Sequence, residues 1–198
     1  MSLNETFLVE VARNCDFLCS HYGAVCKSES QEWLARVTYV GADFEVIFSY
    51  GDRELCFGII VGRRISGRPG MSPFALWEWL DALNVRGRHV EEILLDTPEK
   101  LSLAASRAAS VVHERLPMIL TATSEVVLRM EGARTMREQV AAEADAKWRH
   151  SVAADRAAVA FREGNFKLVV SLLEPLEQRL SPAETRKLQL ARTRVGRR

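Results

Sequence analysis

No stretch of the 198-residue chain approaches the ~20 consecutive apolar residues that span a bilayer. A membrane-spanning helix is therefore not expected. The first residues, Met-Ser-Leu-Asn-Glu-Thr, lack the basic and apolar regions of a secretory signal. Net charge is only +1, which removes the global reason for a polyanionic partner and disfavours nucleic acid. A Gly-rich phosphate loop, a nucleophile elbow and a zinc-protease motif are all missing. Cysteine is scarce, with four residues: Cys15, Cys19, Cys26 and Cys56. With no export signal, reduced and buried thiols in a cytoplasmic protein are the expectation. The Arg- and Ala-rich composition suggests a bacterial source.

What is present is a period-2 stretch from Trp33 to Gly62. Trp33–Val40 is rich in aromatic and β-branched residues, and Gly41-Ala42-Asp43 is a turn signal. Phe44, Val46, Phe48 and Tyr50 then alternate with Glu45, Ile47 and Ser49, as in a half-buried strand. Gly51-Asp52 separates this run from Leu55–Gly62. Turns this short leave no room for a crossover helix, so the strands should be antiparallel.

Before this stretch, Phe7, Leu8, Val11, Cys15, Leu18, Cys19 and Tyr22 recur at helical steps. Asn4 or Thr6 is the expected N-cap, and Gly23 suits the C′ position. Ala24–Lys27 reads as a short edge strand and Ser28–Glu32 as a polar turn. After Val61, residues 62–70 read as a loop, and Ser72-Pro73 as the start of a helix carrying Leu76, Trp77, Trp79, Leu80 and Leu83. Both tryptophans read as core. Thr97-Pro98 starts a long helical region to about Arg129, which Pro117 should kink or split. Gly132 should separate it from a solvated helix, Arg134–Glu163. Ser181-Pro182-Ala183-Glu184 is a capping box opening the last helix.

These signals predict an α+β protein: an N-terminal helix on a small antiparallel sheet of three or four strands, followed by a mostly helical C-terminal half. Residues 1–198 are expected to form one domain. Within it, residues 1–70 carry the helix and meander, and residues 71–198 form a helical half that is a candidate subdomain.

Candidate sites are few. Cys15, Cys19, His21 and Cys26 have the residue types of a zinc site. The i, i+4 placement of Cys15 and Cys19 on an apolar stripe favours packing, and no metal or other cofactor is expected. His113 and His150 lie far away in sequence, so a cysteine nucleophile lacks a base. Asp43, Glu45, Asp52 and Glu54 cluster around the hairpin but lack the lysine of a strand-borne nuclease pattern. Arg63, Arg64 and Arg68, set among glycines, offer guanidinium groups to an anion. With Tyr50 and Arg53, these residues are the candidate partner contacts.

Two resemblances add to this. A helix followed by a meander ending in Phe44-Glu45-Val46-Ile47-Phe48-Ser49-Tyr50-Gly51-Asp52-Arg53-Glu54-Leu55 resembles small bacterial proteins that include immunity proteins of polymorphic toxin systems. That resemblance implies a cytosolic, non-catalytic inhibitor that plugs a cognate toxin's active site, often with acidic residues. Ala157-x-x-Ala160-Phe161-x-x-Gly164-Asn165-Phe166 resembles half of a tetratricopeptide repeat. It implies a single helical hairpin, since one unit does not make a solenoid. The alternatives are a secretion-chaperone-like or scaffold protein, and a small enzyme or nucleic-acid binder using the Arg63–Arg68 loop. The oligomeric state is not set by the sequence.

Overall fold

A computed structural model describes residues 2–51, 55–65, 70–85 and 94–196. It has the expected α+β class. Among the described residues there are five strands and seven α-helices: α1 (Leu3–Asn14), α2 (Asp16–Ser20), β1 (Val25–Gln31), β2 (Leu34–Val40), β3 (Phe44–Gly51), β4 (Cys56–Arg64), β5 (Met71–Ala75), α3 (Leu76–Ala82), α4 (Pro98–Thr121), α5 (Ser124–Arg162), α6 (Phe166–Leu173) and α7 (Pro182–Gly196). The sheet is an antiparallel meander in chain order, β1-β2-β3-β4-β5. None of the described helices is long and apolar enough to cross a membrane. The chain falls into two compact units, Met1–Glu131 and Gly132–Arg198.

In the first unit the alternation of β3 decides the packing. Phe44, Val46, Phe48 and Tyr50 are all buried, and Glu45, Ile47 and Ser49 are not. Ala35, Val37 and Tyr39 of β2 join the buried side. Phe7 of α1 stacks on Tyr50 at 5.8 Å and meets Phe57 edge-on at 5.4 Å. Phe48 meets Tyr39 and Phe57 edge-on. Such aromatic pairs add roughly 0.5–1.5 kcal/mol each to their area burial. The polar tips of this layer find backbone partners. Tyr39 Oη donates to the Val11 carbonyl at 3.4 Å, Tyr50 Oη to that of Leu95 at 2.9 Å, and Trp79 Nε1 to that of Val61 at 2.9 Å.

The helices supply the other half of the core. Leu101, Ala104, Ala105, Ala108, Val112, Leu116 and Ile119 form one buried stripe of α4. Ser102 of α4 donates to Glu10 of α1 at 3.0 Å. The Thr97 hydroxyl accepts from the Lys100 amide, with Pro98 at N1, as the sequence predicts.

Several local expectations are corrected. The N-cap of α1 is Ser2, in a reciprocal box with Glu5. Asn4 instead donates to the Gln31 carbonyl, and Thr6 to that of Ser2. The first helix also breaks at Cys15 into α1 and α2. The strand expected over Ala24–Lys27 extends to Gln31, and the turn shrinks to Glu32-Trp33. Ser72-Pro73 lies in β5, the edge strand, where a missing N–H donor is tolerated. The sheet therefore gains a strand beyond the expected three or four. Trp79 is buried, but Trp77 is 46 % exposed. Pro117 does not split α4. It is exposed, four residues before the helix ends, and the break comes at Ala122, whose φ of −57° and ψ of 143° are extended. Gly132 lies inside α5, because one glycine costs a helix only about 1 kcal/mol.

The second unit is small and helical. Ala157 and Ala160 of α5 pack with Val169 and Leu173 of α6 and with Leu188 and Ala191 of α7. Gly164 takes φ of 73° at the turn, and Phe161 meets Phe166 edge-on at 5.6 Å. The hairpin read from the sequence is thus present. Pro175 does not extend α6; it lies in a 3₁₀ stretch, Glu174–Arg179. The Ser181 amide donates to Glu184 Oε2 at 2.7 Å and the Glu184 amide to Ser181 Oγ at 3.4 Å, which is the expected capping box. Burial opposes ionisation of Glu184, but the two Ser181 hydrogen bonds and the charges of His150 and Lys187 outweigh it and hold the carboxyl below its ordinary range.

Tyr50→Phe keeps the ring in its layer and removes one buried hydrogen bond. Urea unfolding should show an intact fold with stability lowered by about 1–2 kcal/mol; unchanged stability would contradict the Leu95 contact.

Candidate functional site

The alternation that fills one side of the sheet with buried residues leaves mostly half-buried and exposed residues on the other. Register assigns its residues. One row runs Lys27, Thr38, Ile47, Ile60 and Ala75, from β1 to β5. Beside it lies Glu29, Arg36, Ser49 and Gly58, and on the other flank Val25, Val40, Glu45, Gly62 and Pro73. The centre is apolar, with Ile47 half-buried and Ile60 37 % exposed. Gly58 and Gly62 flank Ile60, so β4 carries no side chain on either side of it; Gly58 is half-buried and Gly62 buried. A Cβ at Gly58 would lie 2.8 Å from Ser49 Oγ, and one at Gly62 would lie 3.3 Å from Met71 Cβ. The result is a shallow face with one raised aliphatic side chain and charges around it.

The rim carries both signs. Arg36 Nη1 donates to Glu29 Oε1 at 2.9 Å. Both side chains are about half exposed, so the pair contributes little stability and mainly fixes the guanidinium. Glu45 sits opposite Gly62, and Arg64 is two residues further along the same face of β4. Asp43 is exposed in the β2–β3 turn, where its carbonyl accepts from the Arg64 amide at 2.9 Å.

Not all candidate contacts converge here. Glu45 and Arg64 share the open face, with Asp43 at its edge. Arg63 and Arg64 are strand residues, not loop residues, and they point to opposite sides. Arg63 faces the helices and donates to the Ala122 carbonyl at the end of α4. It satisfies a helix C-terminus, so it is a structural cation and not an exposed anion contact. Tyr50 is fully buried under Phe7 and is likewise a core residue. Asp52, Arg53, Glu54 and Arg68 lie outside the described residues.

Sequence reasoning overlooked Arg36, Ile60 and the two glycines of β4 as members of one surface. Their signal was available in part. Ile47 occupies the polar phase of β3, which is where an apolar residue meant for contact would stand.

No family model, curated protein or solved structure matches the chain. The surface must therefore be read from its own chemistry.

The thiols form a second cluster at the β1 edge. Cys26 pairs in register with Tyr39 and shares the helix-facing side of the sheet with Cys15 and Cys19. None of the four cysteines is in a disulfide; Cys15 is buried, Cys19 half-buried, and Cys26 and Cys56 exposed, so the expectation of uniformly buried thiols is corrected. Among the described residues, no three His, Cys, Asp or Glu side chains are placed to hold a metal ion. His113 is nearer than the sequence suggests. Its ring meets Phe17 edge-on at 4.7 Å and lies 6.3 Å from that of His21. Burial, and then the neighbouring Cys26, push the Cys15 thiol up to about 12. At pH 8 it is almost wholly protonated and a poor nucleophile.

Ellman's reagent at pH 8 should therefore modify Cys26 and Cys56 rapidly in the native protein and Cys15 only on unfolding. Mass-mapped labelling of Cys15 at the rate of Cys26 would contradict its burial.

Proposed function

We propose that the protein is a non-catalytic, partner-binding inhibitor of the immunity-protein type, which neutralises a cognate bacterial toxin in the cytoplasm by stoichiometric contact. The observation that carries this reading is the open face of the sheet. An apolar centre at Ile47 and Ile60, flanked on β4 by the two glycines Gly58 and Gly62, and a mixed-charge rim are the parts of a protein contact surface. The central aliphatic groups supply affinity on desolvation, and the rim supplies orientation and partner choice. Asp43 and Glu45 put carboxylates at one end of the face, suited to basic groups in a toxin's active site. Binding there needs no turnover and no bound cofactor.

A second reading has one observation of its own. All seven residues of β1 are exposed at the sheet edge, which suits a scaffold or chaperone-like protein that takes up a partner strand. The charges of Lys27 and Glu29 blunt this edge against indiscriminate pairing.

The test is genetic and then biophysical. The product of the adjacent reading frame, expressed alone, should arrest growth, and co-expression with this protein should restore it. The two purified proteins should form a one-to-one complex. Ile60→Asp or Arg64→Glu should weaken that complex about 30-fold or more, as at a central contact worth about 2 kcal/mol, with an unchanged thermal melt. A harmless neighbour, or full affinity in both variants, overturns the proposal. Loss of binding only on blocking β1 moves it to the second reading.

A further inference from the structure

The second unit has an apolar stripe of its own, independent of the sheet. On α5, Met136, Val140 and Trp148 are 61 %, 62 % and 65 % exposed, and Val152 and Val159 continue the row at 37 % and 44 %. Ala144 lies midway between Val140 and Trp148, four residues from each. These residues share one side of the helix. Ala157 and Ala160, on the opposite side, face α6 and α7, and His150 on that side lies 3.4 Å from Glu184. Tryptophan and methionine standing in a solvated helix surface are the residue types enriched at contact cores.

The charges around the stripe identify its occupant. Glu138, Glu143 and Asp145 precede Ala146 on its flanks, and Lys147, Arg149 and Arg156 follow it; Arg137 and Asp155, on the stripe itself, have the reverse order and are equidistant from Ala146. We infer that α5 pairs antiparallel with α5 of a second copy of this chain, about a two-fold axis beside Ala146. In that register Val140 lies opposite Val152 of the second copy, and Ala144 opposite Trp148. The small side chain receives the large one. Along one flank Glu138 comes beside Arg156 and Asp145 beside Arg149; along the other, Glu143 comes beside Lys147. Every one of these six charges meets its opposite. Complementary charges along both flanks set the orientation and register of a two-fold helix pair. Asp145 and Arg149 already pair within the helix at 2.6 Å, which holds both side chains over the same flank. The rim pairs fix orientation, and Trp148 with the valines supplies the affinity.

Sedimentation velocity on the full chain, from about 1 to about 200 µM in low salt, reads this directly. The protein should pass from monomer to dimer across the range. Trp148→Glu should raise the dimer dissociation constant about 30-fold or more, and Val140→Glu should act alike if the first variant folds poorly. Asp145→Arg should weaken the dimer about 10-fold, and Asp145→Arg with Arg149→Asp should return it to within about 3-fold of wild type. Helicity by circular dichroism should be the same throughout. A chain that stays monomeric at every concentration, a Trp148→Glu protein that dimerises normally, or a double swap that fails to recover overturns the inference.

Discussion

The first unit depends on the one-sided burial of β3. Four residues at alternate positions, Phe44, Val46, Phe48 and Tyr50, put their whole hydrophobic content on one side of the sheet. A slip of one residue would expose all four, so register and sidedness are fixed together. The helices then have one place to go. Phe7 and Val11 of α1 meet this surface, and α4 closes over it beside α1. Arg63 ties β4 to the Ala122 carbonyl at the end of α4 from the same side. The open face is the consequence of the same constraint, since burying one side of the meander assigns every intervening residue to the other.

That constraint explains why parts of the fold were legible in the sequence and others were not. Signals that act within a few residues were clear. Thr97-Pro98, Ser181–Glu184, Gly23 and Gly164 each do what their chemistry suggests, because a cap or a left-handed turn needs no distant partner. The central strands were clear because their alternation is strong. The sheet edges were not. β1 is polar along its length and exists by pairing with β2, while β5 contains Ser72-Pro73, which locally imitates a helix start. Pro117 and Gly132 gave the opposite error: both weaken a helix locally, and both are outweighed, the first in a helix anchored by a buried stripe and the second in a long continuous one.

The candidate site was legible to the same degree. Glu45 and Arg64 were named, but their common surface could not be seen while Arg63 and Arg64 were taken for a loop. Placing them in β4 separates two adjacent arginines by function. One satisfies a helix terminus and the other stands at the rim of the open face. Tyr50 moves from surface to core for the same reason, since its phase belongs to the buried series. The two units also differ in how they present apolar surface: a sheet face with an aliphatic centre in one, a helical stripe with a tryptophan in the other.

The two sides of the sheet differ sharply residue by residue. Ile60 and Val61 are neighbours on β4, 37 % and 0 % exposed. Methyl NMR with a soluble paramagnetic probe compares them directly. Strong broadening of the Ile60 methyl signals is expected, with almost none for Val61 or for Val46 across the pair. Equal protection of Ile60 and Val61 would contradict this one-sided burial.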